Sequence, residues 1–161
     1  MKKTAQKTHR ALLSFLGLTA MIGGGALIIS PSGKLLGGLP LSILENSPFA
    51  DFLIPGIILF FVLGFLPLLI VVALVKRPFI PFAEHFNFFK DMYWAWTYSI
   101  YIALVLIIWI QTETFFVQGV GWLQMFYMLY AIAMIIVALL PEIRNSYAKN
   151  FSLPPNENSK K

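Results

Sequence analysis

The chain has 161 residues, of which 58% are hydrophobic and only 12% charged, with mean hydropathy +0.78. A soluble domain carries about a quarter charged residues, so a water-soluble globular fold is excluded, and so is a disordered chain. The formal net charge is +5 and cysteine is absent, which removes disulfides, thiolate catalysis and Cys-ligated metal in one step.

In chain order, Met1–Arg10 is a short basic tail, expected in the cytoplasm. The apolar run Ala11–Ser30 follows it. A basic segment before an apolar run also describes a signal peptide, but this run is too long for one and lacks a small-residue cleavage site, so an uncleaved first span is expected. Three further apolar runs are Phe52–Val75, Met92–Ile110 and Val120–Leu140. Each can cross a hydrocarbon core of about 30 Å at about 1.5 Å per residue, and none contains Lys, Arg, Asp or Glu. The expected fold is an all-α polytopic membrane protein: four transmembrane helices in an antiparallel up-down bundle over residues 11–144.

The loops set the expected orientation. Lys2, Lys3, Lys7 and Arg10 precede the first span. Lys76, Arg77 and Lys90 lie between the second and third, and Arg144, Lys149, Lys160 and Lys161 follow the fourth. Lys34 alone falls on the other side. The positive-inside rule then puts both termini in the cytoplasm. This placement accounts for the basic charge without a nucleic-acid partner.

Within the loop 31–51, Ser47-Pro48 reads as an N-cap with proline at the first helical position, so the second helix is expected to begin near Pro48, with Asp51 in its first turn. The loop Lys76–Asp91 mixes bases with Phe79, Phe82, Phe86, Phe88 and Phe89, and a short interfacial helix is expected over 82–90. Residues 145–161, with Pro154-Pro155, read as a polar, disordered cytoplasmic tail.

Small residues cluster in the first two spans: Gly17, Ala20, Gly23, Gly24 and Gly25 in the first, Gly56 and Gly64 in the second. In lipid, such residues permit close backbone approach between helices, so they are expected to pack helices together. Pro67 should kink the second span. In the third span Tyr98 and Tyr101 lie deeper than the interfacial tryptophans, and Gln124 and Tyr127 stand in the fourth. A polar seam between these two helices is expected from these four residues, serving either as structure or as a ligand pocket. On the outer side Glu45, Asp51, Gln111, Glu113 and Gln118 are placed to ring a polar mouth. His9 and His85 lack partners at metal-ligand spacing and read as solvated. No metal and no cofactor is implied, and the absence of an ionisable group inside any span weighs against proton-coupled export.

The stretches Pro31-Ser32-Gly33, Gly38-Leu39-Pro40-Leu41, Ser47 to Gly56 (SPFADFLIPG), Trp94 to Ser99 (WAWTYS) and Ile107-Ile108-Trp109-Ile110 resemble small bacterial four-helix inner-membrane proteins without an assigned reaction. The likeness covers most of Ala11–Arg144. The architecture is similar, by analogy alone, to DoxX-like four-helix proteins. The resemblance implies a bacterial source and a four-span bundle in the cytoplasmic membrane, and it implies no catalytic residue.

Three functional readings follow. The leading one is a non-enzymatic protein of the lipid bilayer acting through lipid, a membrane protein partner or a second copy of itself. The next is a binder or carrier of a small apolar molecule, such as a lipid or quinone, in the seam between helices three and four. The third, against which the balance leans, is a membrane enzyme using the outer carboxylates Glu45, Asp51 and Glu113.

Overall fold

The computed structural model describes residues 2–37, 41–45, 47–117 and 121–149. It is an all-α bundle, and four of its helices are long and apolar enough to cross a membrane. They are α1 (Lys2–Ile29), α2 (Leu53–Lys76), α4 (Trp94–Val117) and α5 (Trp122–Leu139). Two short helices, α3 (Pro81–His85) and α6 (Pro141–Tyr147), sit at one end.

The long helices form a closed ring: α1 packs on α2, α2 on α4, α4 on α5 and α5 back on α1. Neighbours run antiparallel. Gly17 of α1 lies against Gly64 and Leu68 of α2, while Gly24 lies against Gly56 and Phe60. Tyr130 of α5 donates to the Leu12 carbonyl of α1 at 2.7 Å, and Trp96 Nε1 of α4 donates to the Ala138 carbonyl of α5 at 2.9 Å. This topology brings Arg10, Lys76, Arg77, Lys90, Arg144 and Lys149 to one end and leaves Lys34 at the other.

Among the small residues, Gly17, Gly24, Gly56 and Gly64 stand in close contact between two helices of the same chain. An ideal Cβ on Gly24 would stand 2.6 Å from the Phe60 nitrogen and 2.7 Å from the Gly56 carbonyl oxygen, and one on Gly64 would stand 2.6 Å from Met21 Cγ. Ala20 is buried. Gly23 and Gly25 have room, with nearest side-chain atoms at 3.7 Å.

Several boundaries differ from expectation. Helix α2 begins at Leu53 rather than Pro48, with Phe52 at its N-cap, and Asp51 Oδ1 accepts from the Leu53 N–H at 2.9 Å in a local turn just before the helix rather than lying in its first turn. Ser47 Oγ accepts from the Phe49 N–H at 3.2 Å, a local turn rather than a helix start. Pro67 acts through a widened segment. Residues Leu59–Phe65 form a π-helical stretch, and the Leu66 N–H donates to the Phe61 carbonyl five residues back. Pro67 has no N–H to offer the preceding turn, and the wide turn takes up the mismatch.

The ends of α1 and α4 run further than the apolar runs. Helix α1 starts at Lys2, so residues 2–10 are helical rather than a free tail. Helix α4 continues to Val117 and carries Glu113. The 145–161 tail is corrected at its start: Asn145–Tyr147 complete α6, Tyr93 N–H donates to the Tyr147 carbonyl at 2.8 Å, and Lys149 N–H donates to the Asp91 carbonyl at 2.8 Å. Residues 150–161 lie outside the described set.

The interfacial helix is shorter than expected, Pro81–His85, with Phe79, Phe82 and Phe88 strongly exposed around it. It is held by Asn87, whose side chain is buried. Its Nδ2 donates to the Met92 carbonyl at 2.8 Å and to Glu84 Oε2 at 3.3 Å, and its Oδ1 accepts from Thr97 Oγ1 at 2.6 Å and from the Phe89 N–H at 3.2 Å. Glu84 also pairs with Lys149 Nζ at 2.6 Å. Burial alone would raise the Glu84 carboxyl, but the hydrogen bonds from Lys149 and Asn87 and the lysine charge outweigh it and hold the carboxyl below its ordinary 4.5.

Candidate functional site

The expected seam divides into two places, one on α4 and one on α5, at opposite ends of the bundle. Tyr98 and Tyr101 sit at the end bearing the termini. Tyr98 donates to the Ala83 carbonyl at 3.4 Å and Tyr101 to the Phe86 carbonyl at 3.2 Å, so both anchor α3 and its exit rather than facing α5. Tyr101 Oη also accepts from the Phe88 N–H at 3.2 Å. Gln124 and Tyr127 sit at the opposite end. The seam therefore does not exist as a single line of side chains: the tyrosine hydroxyls find backbone carbonyls in the adjoining loop instead.

That opposite end holds a partly open cavity of about 390 Å³, lined by all four long helices and by the loop between α1 and α2. Its wall is mostly aliphatic and aromatic. Leu16, Ala20, Gly23 and Leu27 come from α1; Pro55, Leu59 and Leu63 from α2; Leu106, Trp109 and Phe116 from α4; Leu123 from α5; and Leu36, Leu44, Phe49 and Phe52 form the roof. The volume falls within the range of about 300–1,000 Å³ usual for small-molecule sites, and an apolar wall with a few placed polar groups is their usual chemistry. The local backbone explains the space. Gly23 leaves its position empty, and the π-helical stretch turns Leu59 and Leu63 onto this wall.

Polar groups in the wall are few: Thr19, Thr112, Glu113, Gln124 and Tyr127, with the Trp109 indole. Trp109 Nε1 donates to Glu113 Oε1 at 2.8 Å, one helical turn away. Gln124 Oε1 accepts from the Gly121 N–H at 3.1 Å and so caps the start of α5. Thr19 Oγ1 donates to the carbonyls of Phe15 and Leu16 at 2.9 and 3.1 Å. Glu113 is the sole ionisable carboxyl or base among the described wall residues. A shallower cleft of about 260 Å³ lies between α4 and α5, and Ile110 and Gln124 belong to both spaces.

The expected polar mouth is not assembled. Of its four described residues only Glu113 lines the cavity. Glu45 is exposed, Asp51 accepts from the Leu53 N–H in the turn before α2, and Gln111 faces the shallow cleft. Gln118 lies outside the described residues. Among the described residues no group of His, Asp and Glu is arranged to hold a metal ion.

Sequence reasoning missed a second polar cluster at the end bearing the termini. His9, read as solvated, is 1% exposed. Its Nε2 lies 3.0 Å from Ser99 Oγ. Ser99 uses its own proton on the Trp96 carbonyl at 2.6 Å, so His9 Nε2 is the donor and Nδ1 carries a lone pair. Beside it Arg10 donates to the Tyr147 hydroxyl at 3.3 Å and to the Leu74 carbonyl at 3.5 Å. The signal for His9 was present: positions 9, 13, 16 and 20 share one face of α1, and Leu13, Leu16 and Ala20 are core. No family model, curated protein or solved structure matches the chain, so the site stands on its own geometry.

Proposed function

We propose that this is a membrane-embedded binding protein for a small lipid-soluble molecule, held in the cavity between the four helices. The observation that carries the reading is the cavity itself: a largely apolar chamber of about 390 Å³ with a few polar groups in its wall. Close-packed interiors hold few voids larger than a water molecule, and an apolar chamber of this size is suited to an apolar guest. The adjoining cleft between α4 and α5, sharing Ile110 and Gln124 with the chamber, supports entry sideways from the bilayer. Glu45 and Asp51 stand apart from Glu113, which leaves the enzyme reading without a paired acid.

Native mass spectrometry of the purified chain in nanodiscs tests the reading, with dodecanol as probe. A discrete retained mass is expected for the parent chain and its loss for Gly23→Leu. A Cβ at position 23 meets only Leu59 Cδ2, at 3.7 Å, so leucine fills the chamber while the fold tolerates it. Equal retention by both chains, each with an unchanged melting curve, would remove the reading.

The same proposal places the protein in the inner membrane of a bacterium with both termini in the cytoplasm, so that the chamber lies toward the outer leaflet. The absence of native cysteine allows a clean check. In intact cells an impermeant maleimide should label a cysteine at exposed Glu45 and spare one at exposed Asn145. The reverse pattern would invert the orientation.

A further inference from the structure

We infer that the guest is a single-chain amphiphile with an ammonium head, which pairs with Glu113 while its chain runs down the chamber toward Leu106. This rests on the binding reading above and names the chemical class of its ligand. Glu113 is the only carboxyl side chain in the described wall. Its Oε1 is engaged by Trp109 at 2.8 Å, and among the described residues no donor reaches Oε2 and no cation pairs with the carboxylate. A lone carboxylate in an apolar wall is costly unless a partner satisfies it, and an ammonium group supplies both charge and N–H donors. The surroundings suit the same head: Trp109, Phe116 and Tyr127 also line this end, and aromatic faces attract ammonium groups. Leu16, Leu63 and Leu106 supply apolar wall for the chain, and the Thr19 hydroxyl near them is already turned onto the Phe15 and Leu16 carbonyls. Glu113 and Leu106 are seven residues apart on one helix, about 10 Å along its axis. Glu113 is therefore the one carboxylate anchor in a wall otherwise given mostly to hydrocarbon.

The test uses the full chain in phosphatidylcholine nanodiscs and native mass spectrometry, titrating dodecylamine and dodecanol in parallel. The amine is expected to bind at least about tenfold more tightly than the alcohol, reflecting the greater strength of charge-assisted hydrogen bonds. In Glu113→Gln, a near-isosteric change, the preference for the amine over the alcohol should fall to within about twofold. A third arm adds lyso-phosphatidylethanolamine, a single-chain lipid with an ammonium head, to the nanodiscs. Its selective retention by the parent chain, lost in Glu113→Gln, would identify a lipid head as the source of the ammonium group. Amine and alcohol binding equally, both abolished by Gly23→Leu, would overturn the ammonium inference and keep the binding site. Neither probe binding would overturn both. Amine preference that persists in Glu113→Gln would overturn the role of Glu113, with the melting curve of that variant showing that it remained folded.

Discussion

Replacing Gly24 by leucine is expected to prevent the bundle from folding. A Cβ at this position would meet the Phe60 nitrogen at 2.6 Å and the Gly56 carbonyl oxygen at 2.7 Å. Both are backbone atoms, so no side chain can turn aside to make room. Inserting methylenes into a packed core costs about 1–3 kcal/mol and sometimes more. Here the α1–α2 contact itself must open, and with it the dispersion contacts that hold helices together in lipid. Gly25→Ala is the matched control, since its nearest neighbour is the Phe60 ring at 3.7 Å, and it should change stability by less than about 1 kcal/mol. Thermal melting in detergent, followed by circular dichroism, separates the two. Similar melting curves for Gly24→Leu and the parent chain would show that α1 and α2 do not meet along this line.

The second large effect is expected at Asn87. Its amide makes four hydrogen bonds, to the Met92 carbonyl, Glu84, Thr97 and the Phe89 N–H, while 1% exposed. Asn87→Leu keeps the volume and removes every one of them. The buried Thr97 hydroxyl and the Met92 carbonyl lose this partner, at roughly 1–3 kcal/mol each, giving a destabilisation of about 2–6 kcal/mol. Asn87→Asp keeps acceptors for Thr97 and Phe89 but sets a buried carboxylate against Glu84 and the Met92 carbonyl oxygen, so it should destabilise at least as much as Asn87→Leu. Melting temperatures that fall from the parent chain to Asn87→Leu, with Asn87→Asp no higher, check the prediction. An unchanged melting temperature for Asn87→Leu would mean that the loop between α2 and α4 contributes nothing to the bundle. The functional consequence is specific: loss of this loop should leave retention in the chamber at the far end intact until the whole bundle melts.

How far each feature was legible follows from the physics of its pattern. Four spans were readable because the bilayer imposes a length and an apolar composition, and those are local properties of a chain. The bases gathered at one end of the bundle were readable for the same reason, since an even number of crossings returns alternate loops to the same side. The packing role of Gly17, Gly24, Gly56 and Gly64 was readable as a residue type suited to close approach. Its partners were not, because a small-residue stripe fits a neighbouring helix and a second copy equally well.

The site was only partly legible. Gln124, Tyr127 and Glu113 were singled out, but they were assigned to two separate features, a seam and a mouth. Helix α4 runs past the apolar stretch to Val117, and that continuation turns Glu113 from a loop charge into part of the chamber wall. Tyr98 and Tyr101 belong elsewhere because a hydroxyl bonds to whichever carbonyl tertiary structure brings near, here those of Ala83 and Phe86. His9 lay on the core face of α1, yet its flanking lysines gave that stretch the composition of a tail. The amino-acid sequence by itself determined the solvent, the number of crossings and the alternation of charge, all of which depend on runs and counts. Only the tertiary structure decided that four helices leave a chamber at one end. That depends on a missing side chain at Gly23, a widened turn before Pro67 and a roof contributed by a distant loop, and no local pattern states their sum.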